Sequence, residues 1–321
     1  GLDPAFRTGT KWVLVNHTGR FVKHGVIYPV PPKNQVEEAR KELNAVLKEH
    51  KVDIVAIGNG TASREVFRFI RDWIKDENHE LETLVVNESG ASVYSASKTA
   101  REEFPDLDLT VRGAVSIARR YQDPLAELVK IEPKSIGVGQ YQHDVNQNRL
   151  KQSLERTVES CVNYVGVDLN RASFQLLEHV SGISPGLARN IVQHRNLNGA
   201  YSTRNDLLNV KGMGKRTFEQ SAGFLRVMES ENPLDQSAVH PENYTLVEQM
   251  AEHLELPLKE MVGNEEKLKL IDVKRYEEQG IGSFTLKDII DELHKPGRDP
   301  RKDHETVQFD DTVSEITDLE K

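Results

Sequence analysis

Cysteine is almost absent from this sequence: Cys161 is the single thiol in 321 residues. No internal disulfide can form, and no cysteines stand at zinc-ligand spacing. The lone thiol reads as a buried small hydrophobe rather than a nucleophile. A chain without disulfides fits a reducing compartment, so a cytoplasmic location is expected. Long apolar runs are missing too. None reaches membrane-span length, and no signal-peptide pattern is visible, so no membrane partner is expected. Heptads are absent, and no periodic repeat is seen beyond one recurring glycine turn. A net charge of −9 argues against a chain coated along its length by nucleic acid. Hydrophobic residues make up 37%, enough for cores, and the length suggests roughly two or three domains.

The positive charge that exists is unevenly placed. Arg149–Val227 holds eleven Lys and Arg against six Asp and Glu, inside an acidic chain. A basic segment of this kind is the footprint of local phosphate binding, with a solvated helical surface as the plainer reading. Its sequence separates the two. Val210-Lys211-Gly212-Met213-Gly214 reads as a tight turn followed by a helix carrying Lys215 and Arg216. Two glycines let the backbone approach a ligand closely, and outward amides with two cations beside them suit a phosphate. Thirty residues upstream the pattern recurs in Val180-Ser181-Gly182-Ile183-Ser184-Pro185-Gly186, followed by Arg189. The pair resembles a tandem helix-hairpin-helix module. The first copy departs from it, because Ser184 stands where the second glycine belongs. Gly186 is the residue expected to supply the lost freedom. The nucleic-acid-binding set is thus Gly182, Ser184, Gly186, Arg189, Lys211, Gly212, Gly214, Lys215 and Arg216. Tyr201, between the hairpins, reads as a packing ring before a base-stacking one.

The first part of the chain has a different grammar. The start leaves no room for a strand before Asp3. Lys11–Val15 and Arg20–Val30 then read as strands around His17-Thr18-Gly19. Asn34–Glu49 has helical periodicity, Val52–Ile57 is a buried strand, Ser63–Lys75 a helix with Thr61 as its cap, Leu81–Val86 a strand and Val111–Arg120 a last helix. Alternation of this kind predicts an α/β sheet with helices on both faces.

The segments GLDPAFRTG, VNESGASVYSAS, the long run from Val111 to Val145, VNYVGVDLNRAS, HPENY and GRDPR make the chain similar to the bacterial Tex family of transcription accessory proteins. The likeness covers essentially the whole chain. It implies a multidomain protein, α/β plus all-α. A YqgF-type, RNase H-like domain over 1–125 is followed by a linker at 126–148 that packs. The tandem helix-hairpin-helix covers 149–228 and a further helical domain 229–300. An acidic linker at 301–321 leads toward an RNA-binding OB-fold domain. The family also places a helical region ahead of this point, so the sequence is expected to be a core fragment, cut inside or just before the first strand.

RNase H-like enzymes hold two divalent metals between carboxylates. The resemblance maps Asp3 and Glu88 onto the first two. The last helix, Val111–Ile117, carries no acid; Asp108 lies before it and Asp123 beyond it. Arg112 would oppose a metal if it faced the site. The expected reading is a scaffold that binds DNA or RNA, with no cofactor. The alternative is a nuclease or resolvase using Mg²⁺ at Asp3 and Glu88, with Asp108 or Asp123 as third ligand. A third class is a protein-interaction module: the resemblance implies docking to the transcription machinery, with Pro233–Leu293 as the surface. Within that region Gly280-Ile281-Gly282 imitates a hairpin turn without a basic pair, and reads as structural.

Overall fold

The apolar runs WVLV within TKWVLV and IVA within IVAIG, rich in β-branched residues, fold as the strands they predict. In the computed structural model, residues 1–294 and Pro296 are described. Leu2–Asp3 (β1), Thr10–Val15 (β2), Phe21–Ile27 (β3), Ile54–Gly58 (β4) and Glu82–Val86 (β5) form one mixed sheet, ordered β3-β2-β1-β4-β5. β1 pairs antiparallel with β2, Asp3 opposite Lys11, and parallel with β4, Leu2 opposite Ile57. That corrects the expectation of no strand before Asp3. Gly1 and Val13 exchange both backbone hydrogen bonds at 2.9 Å, and two residues suffice once partners stand on both sides.

Helices cover both faces. Val36–Glu49 (α1) and Ser63–Asp76 (α2) bury Leu43, Val46, Ile70 and Trp73 against Leu2, Trp12 and Ile57. Ala91–Ala96 (α3), Lys98–Glu103 (α4) and Leu109–Gln122 (α5) follow, and α5 buries Val111, Ala114, Val115 and Ala118 with Val13 on the other face. Thr61 does not cap α2. Ala62 precedes the helix at φ 66°, no side chain caps it, and Thr61 is exposed. The turn is set by the backbone bond from Ser63 N–H to Gly60 C=O instead.

The stretch after α5 packs on this domain. Pro124–Leu128 is a short helix (α6), and Ile131 joins Tyr94 and Ala100 in a small core. The Lys130 ammonium lies 2.6 Å from Glu127 and 3.0 Å from Glu103, all three largely shielded, and the Tyr94 hydroxyl donates to Glu103.

The chain forms two compact units. One holds Gly1–Val162, Arg171–His179 and Ser184–Val192; the other holds Asn163–Asn170, Val180–Ile183 and the described residues from Gln193 on. Arg149–Val165 and Ser173–Val180 read in sequence as amphipathic helices; the first is helical over Gln147–Val165 (α7), the second only over Phe174–Leu177 (α8), since the chain then enters the Gly182 turn. Cys161 lies on α7 and is exposed, which corrects its reading as a buried residue. Pro185–Asn198 (α9) and Lys215–Ser221 (α10) are the helices after the two hairpin turns. Tyr201 is buried and stacks on His194, 5.6 Å between ring centres, which settles it as a packing residue.

Pro233–Val239 reads in sequence as a polar break, and the structure corrects that. Leu234, Asp235, Ser237 and Val239 are buried, and the Arg204 guanidinium, 1% exposed, donates to the carbonyls of all four. Beyond it, Leu234, Val247, Met250, Met261, Leu268, Leu286, Ile289 and Leu293 form one core among short helices. The expected acidic linker at 301–321 lies outside the described residues.

Candidate nucleic-acid interface

The second hairpin is anchored from below and open above. Met213, Leu207, Val210 and Phe218 are buried; Gly212, Gly214, Lys215 and Arg216 are exposed. Gly212 sits at φ 92°, where a side chain is strained, and Met213 N–H closes the turn onto Val210 C=O at 3.0 Å. Gly214 is extended (φ −94°), and a methyl group there would meet nothing within 4 Å. No side chain caps the helix that follows. Its first amides therefore have no intrahelical or capping acceptor, and the two cations stand next to them. Lys211 is exposed and takes part in an interaction of its own.

The first hairpin repeats the turn but not the open donors. Gly182 has φ 85° and Ile183 N–H donates to Val180 C=O at 3.0 Å. Ser184 then caps its own helix: its Oγ accepts Leu187 N–H at 3.3 Å. Pro185 has no N–H to offer. Gly186, expected to restore lost freedom, is the second residue of α9 and takes a helical conformation that needs none. Arg189 is also engaged. Its guanidinium lies 5.0 Å over the Phe174 ring and 3.5 Å from Glu178. Both hairpins carry the sequence motif, but the first has lost two helix-start donors, one to Pro185 and one to the Ser184 cap, while the second has neither a proline nor a side-chain cap there and carries two exposed cations.

The carboxylate cleft lies in the sheet domain. Asp3 ends β1, and Glu88 follows β5. A methyl group on Gly58 or Gly60 would collide with the Glu88 carboxylate, and one on Gly113 would stand 3.2 Å from Asp3 Oδ2. Burial, and then the Glu88 charge, push the Asp3 carboxyl up to about 6, against a smaller opposing pull from Lys11. Glu88 Oε2 is buried without a hydrogen-bond partner.

The other candidates do not complete this pair. Asp108 caps α5, accepting from Thr110 N–H at 2.8 Å and Thr110 Oγ1 at 2.6 Å, bonds that hold its carboxyl below the usual range. Asp123 ends α5 and accepts from Ala126 N–H at 3.1 Å. A helix of 14 residues, about 20 Å long, separates the two. Among the described residues no group of three or more His, Cys, Asp or Glu side chains is arranged to hold a metal. Arg112 points away from the cleft, donating to the carbonyls of Phe104 and Pro105. Arg120 takes the role expected of Arg112. It is buried and donates to the carbonyls of Asn87 and Ser89 at 2.8 Å, on either side of Glu88; burial lowers its pKa, against opposing pulls from the Glu127 and then the Glu88 carboxylates. The residues present do not fit a two-metal set. Gly113 has no side chain to offer a ligand beside Asp3, and Arg120, held on the carbonyls either side of Glu88, adds positive charge near that carboxylate. The spacing Gly113, Ile117, Arg120 on one helical face was the legible signal for this.

Because the folded state holds the Asp3 proton more tightly than the unfolded chain, that group favours folding below about pH 4. The contribution is lost as pH rises to about 6. Asp3→Asn is therefore expected to be more stable than the parent at pH 7.5 by on the order of 2 kcal/mol, with the gap closing at pH 4. Urea melts of both proteins across that range measure it; a pH-independent gap would contradict the burial of an ionisable pair.

Comparison with known proteins adds three domain matches. Residues 1–122 match the Tex protein YqgF-like domain, residues 162–226 a helix-hairpin-helix motif, and residues 232–301 an HHH domain. The last covers the region read from sequence only as a helical domain. Protein tex of Bordetella pertussis is 51% identical over 320 residues, 99% of this chain and 40% of that protein. Transcriptional accessory protein Tex of Neisseria gonorrhoeae is 49% identical over all of this chain and 42% of its own length. The human S1 RNA-binding domain-containing protein 1 is 35% identical over all of this chain and 38% of its length. The chain thus spans less than half the length of these relatives.

Proposed function

Given that this chain belongs to the Tex family, we propose that it is a nucleic-acid-binding core that grips the phosphate backbone without reading sequence. The second hairpin carries that contact. The observation behind this is the open turn at Gly212–Gly214, where uncapped amides and the exposed Lys215 and Arg216 stand together. Backbone amides hold a phosphate in register but cannot read a base from there. A charge-assisted bond from each cation adds strength that falls with salt. The transcription accessory role named for the Neisseria protein is the setting we infer for this binding, with docking to the transcription machinery as a consequence.

The test is an anisotropy titration of two unrelated duplexes at several salt concentrations. Similar affinities and equal salt slopes are expected. A difference of more than about tenfold, roughly one mismatch-scale discrimination, would rule out sequence-blind binding.

The nuclease reading is weaker. With Gly113 in place of an acid and Asp108 and Asp123 committed to helix caps, the purified chain is expected to leave DNA and RNA intact with Mg²⁺ or Mn²⁺. Cleavage that needs the metal and vanishes in Asp3→Asn and Glu88→Gln would reverse this.

A further inference from the structure

We propose that the solvent face of α2 is a second nucleic-acid contact, a linear phosphate-binding stripe made by Arg64, Arg68, Arg71 and Lys75. The inference rests on the chain binding nucleic acid, but not on the assignment of the contact to the second hairpin.

The spacing i, i+4, i+7, i+11 puts the four side chains within a strip about 60° wide along the helix, at about 100° per residue. The strip is some 16 Å long at about 1.5 Å rise per residue. It lies opposite the face that buries Val66, Phe69, Ile70 and Trp73, and all four cations are exposed.

An ordinary solvated helix face mixes signs, because opposite charges three or four residues apart support the helix. Along this strip the successive rungs carry like charges, while Glu65 and Asp72 stand beside it, three or four residues from Arg68 and Lys75. Arg64 with Arg68, Arg68 with Arg71, and Arg71 with Lys75 each oppose helix formation by a few tenths of a kcal/mol. The chain has 51 acidic residues against 42 basic ones, yet none falls on this strip. The acids of α2, Glu65, Asp72 and Asp76, lie to one side. Asp76 is engaged by Arg40 of α1 at 2.7 Å. Among the described residues none of the four cations is in an ion pair.

A repeating anion is the complement of a repeating cation. Rungs of about 4.5–6 Å let flexible side chains reach successive phosphates of one strand. Three of the four are arginines, whose planar fork binds phosphate in bidentate fashion. An anionic membrane is the poorer fit. A helix that binds a bilayer surface lays its apolar face into it, and the apolar face of α2 is in the domain core.

The test uses the whole chain and three variants: Arg64→Gln/Arg68→Gln/Arg71→Gln/Lys75→Gln, Arg64→Lys/Arg68→Lys/Arg71→Lys, and Lys215→Ala/Arg216→Ala. Each is titrated by anisotropy with a duplex and with a single-stranded RNA over a salt series, after circular dichroism has shown the fold intact. The glutamine variant is expected to bind at least tenfold more weakly at about 0.1 M salt. Its log–log slope should fall by about 0.9 for each duplex phosphate no longer neutralised, and by about 0.7 for each single-strand phosphate. The lysine variant should keep most of the slope. If the glutamine variant binds like the parent while the hairpin variant is weakened, this inference is wrong and the hairpin reading stands. The converse sinks the hairpin assignment and leaves the stripe. No binding by the parent even at low salt sinks both. Loss of retention on phosphatidylserine vesicles by the glutamine variant, with nucleic-acid binding unchanged, would make the stripe a membrane surface and overturn the proposal.

Discussion

Arg204→Met is expected to destabilise the second unit by about 3–5 kcal/mol, the scale for stripping a buried charge network of one member. Arg204 is 1% exposed and donates to Val239 C=O at 2.7 Å, Leu234 C=O at 3.0 Å, and the carbonyls of Asp235 and Ser237. Without it the Ser237 and Val239 carbonyls lose this donor, at about 1–3 kcal/mol for each left unpaired, while Leu234 C=O keeps the Ser237 N–H and hydroxyl and Asp235 C=O keeps Val227 N–H. The Asp235 carboxylate would lose a nearby cation at 3.9 Å, though it keeps the Ser230 and Tyr244 hydroxyls. Methionine fills the volume, so the loss isolates the polar contribution. Arg204→Lys should rescue little, because one ammonium cannot span carbonyls that a planar fork reaches together. Denaturant melts with an unchanged m-value measure the effect. A change below about 1 kcal/mol, the size of one ordinary hydrogen bond, would mean that water replaces the guanidinium.

The second large effect belongs to Lys215→Ala/Arg216→Ala. Every phosphate that these cations no longer neutralise should weaken duplex binding on the order of tenfold near 0.1 M salt and flatten the slope by about 0.9. Both side chains are exposed, so stability should be unmoved. Gly214→Val tests backbone approach alone. Gly214 has φ −94° with open space around it, so valine fits the turn without strain and only crowds the ligand. Gly212→Val, at φ 92°, would strain the turn and is a poor probe. Ser184→Val removes the cap on Leu187 N–H and should cost about 1 kcal/mol of stability, with little effect on binding. If the double variant binds like the parent while Ser184→Val abolishes binding, the hairpins have been assigned in the wrong order.

Local periodicity alone determined most elements of this protein. The short apolar run in Lys11–Val15 and a 3.6-residue repeat in Ser63–Lys75 are properties of neighbours a few positions apart, and the structure repeats them as strand and helix with a shift of one residue. The glycine turns of both hairpins were legible for the same reason, since φ near 90° at Gly182 and Gly212 is a local demand. What an acid or a cation does was not legible. Asp108 and Asp123 sit at helix ends, where a carboxylate caps as readily as it ligates, and only the fold shows that both cap. Ser184 and Gly214 hold matching positions in their turns, but the Oγ of one consumes an amide that the other leaves open. Arg204 reads in sequence as another basic residue of the module. Its role depends on Leu234–Val239, some thirty residues downstream, folding back over it. Those carbonyls lie outside any local window, so tertiary packing alone decided that this cation belongs to the core while Lys215 and Arg216 remain in solvent.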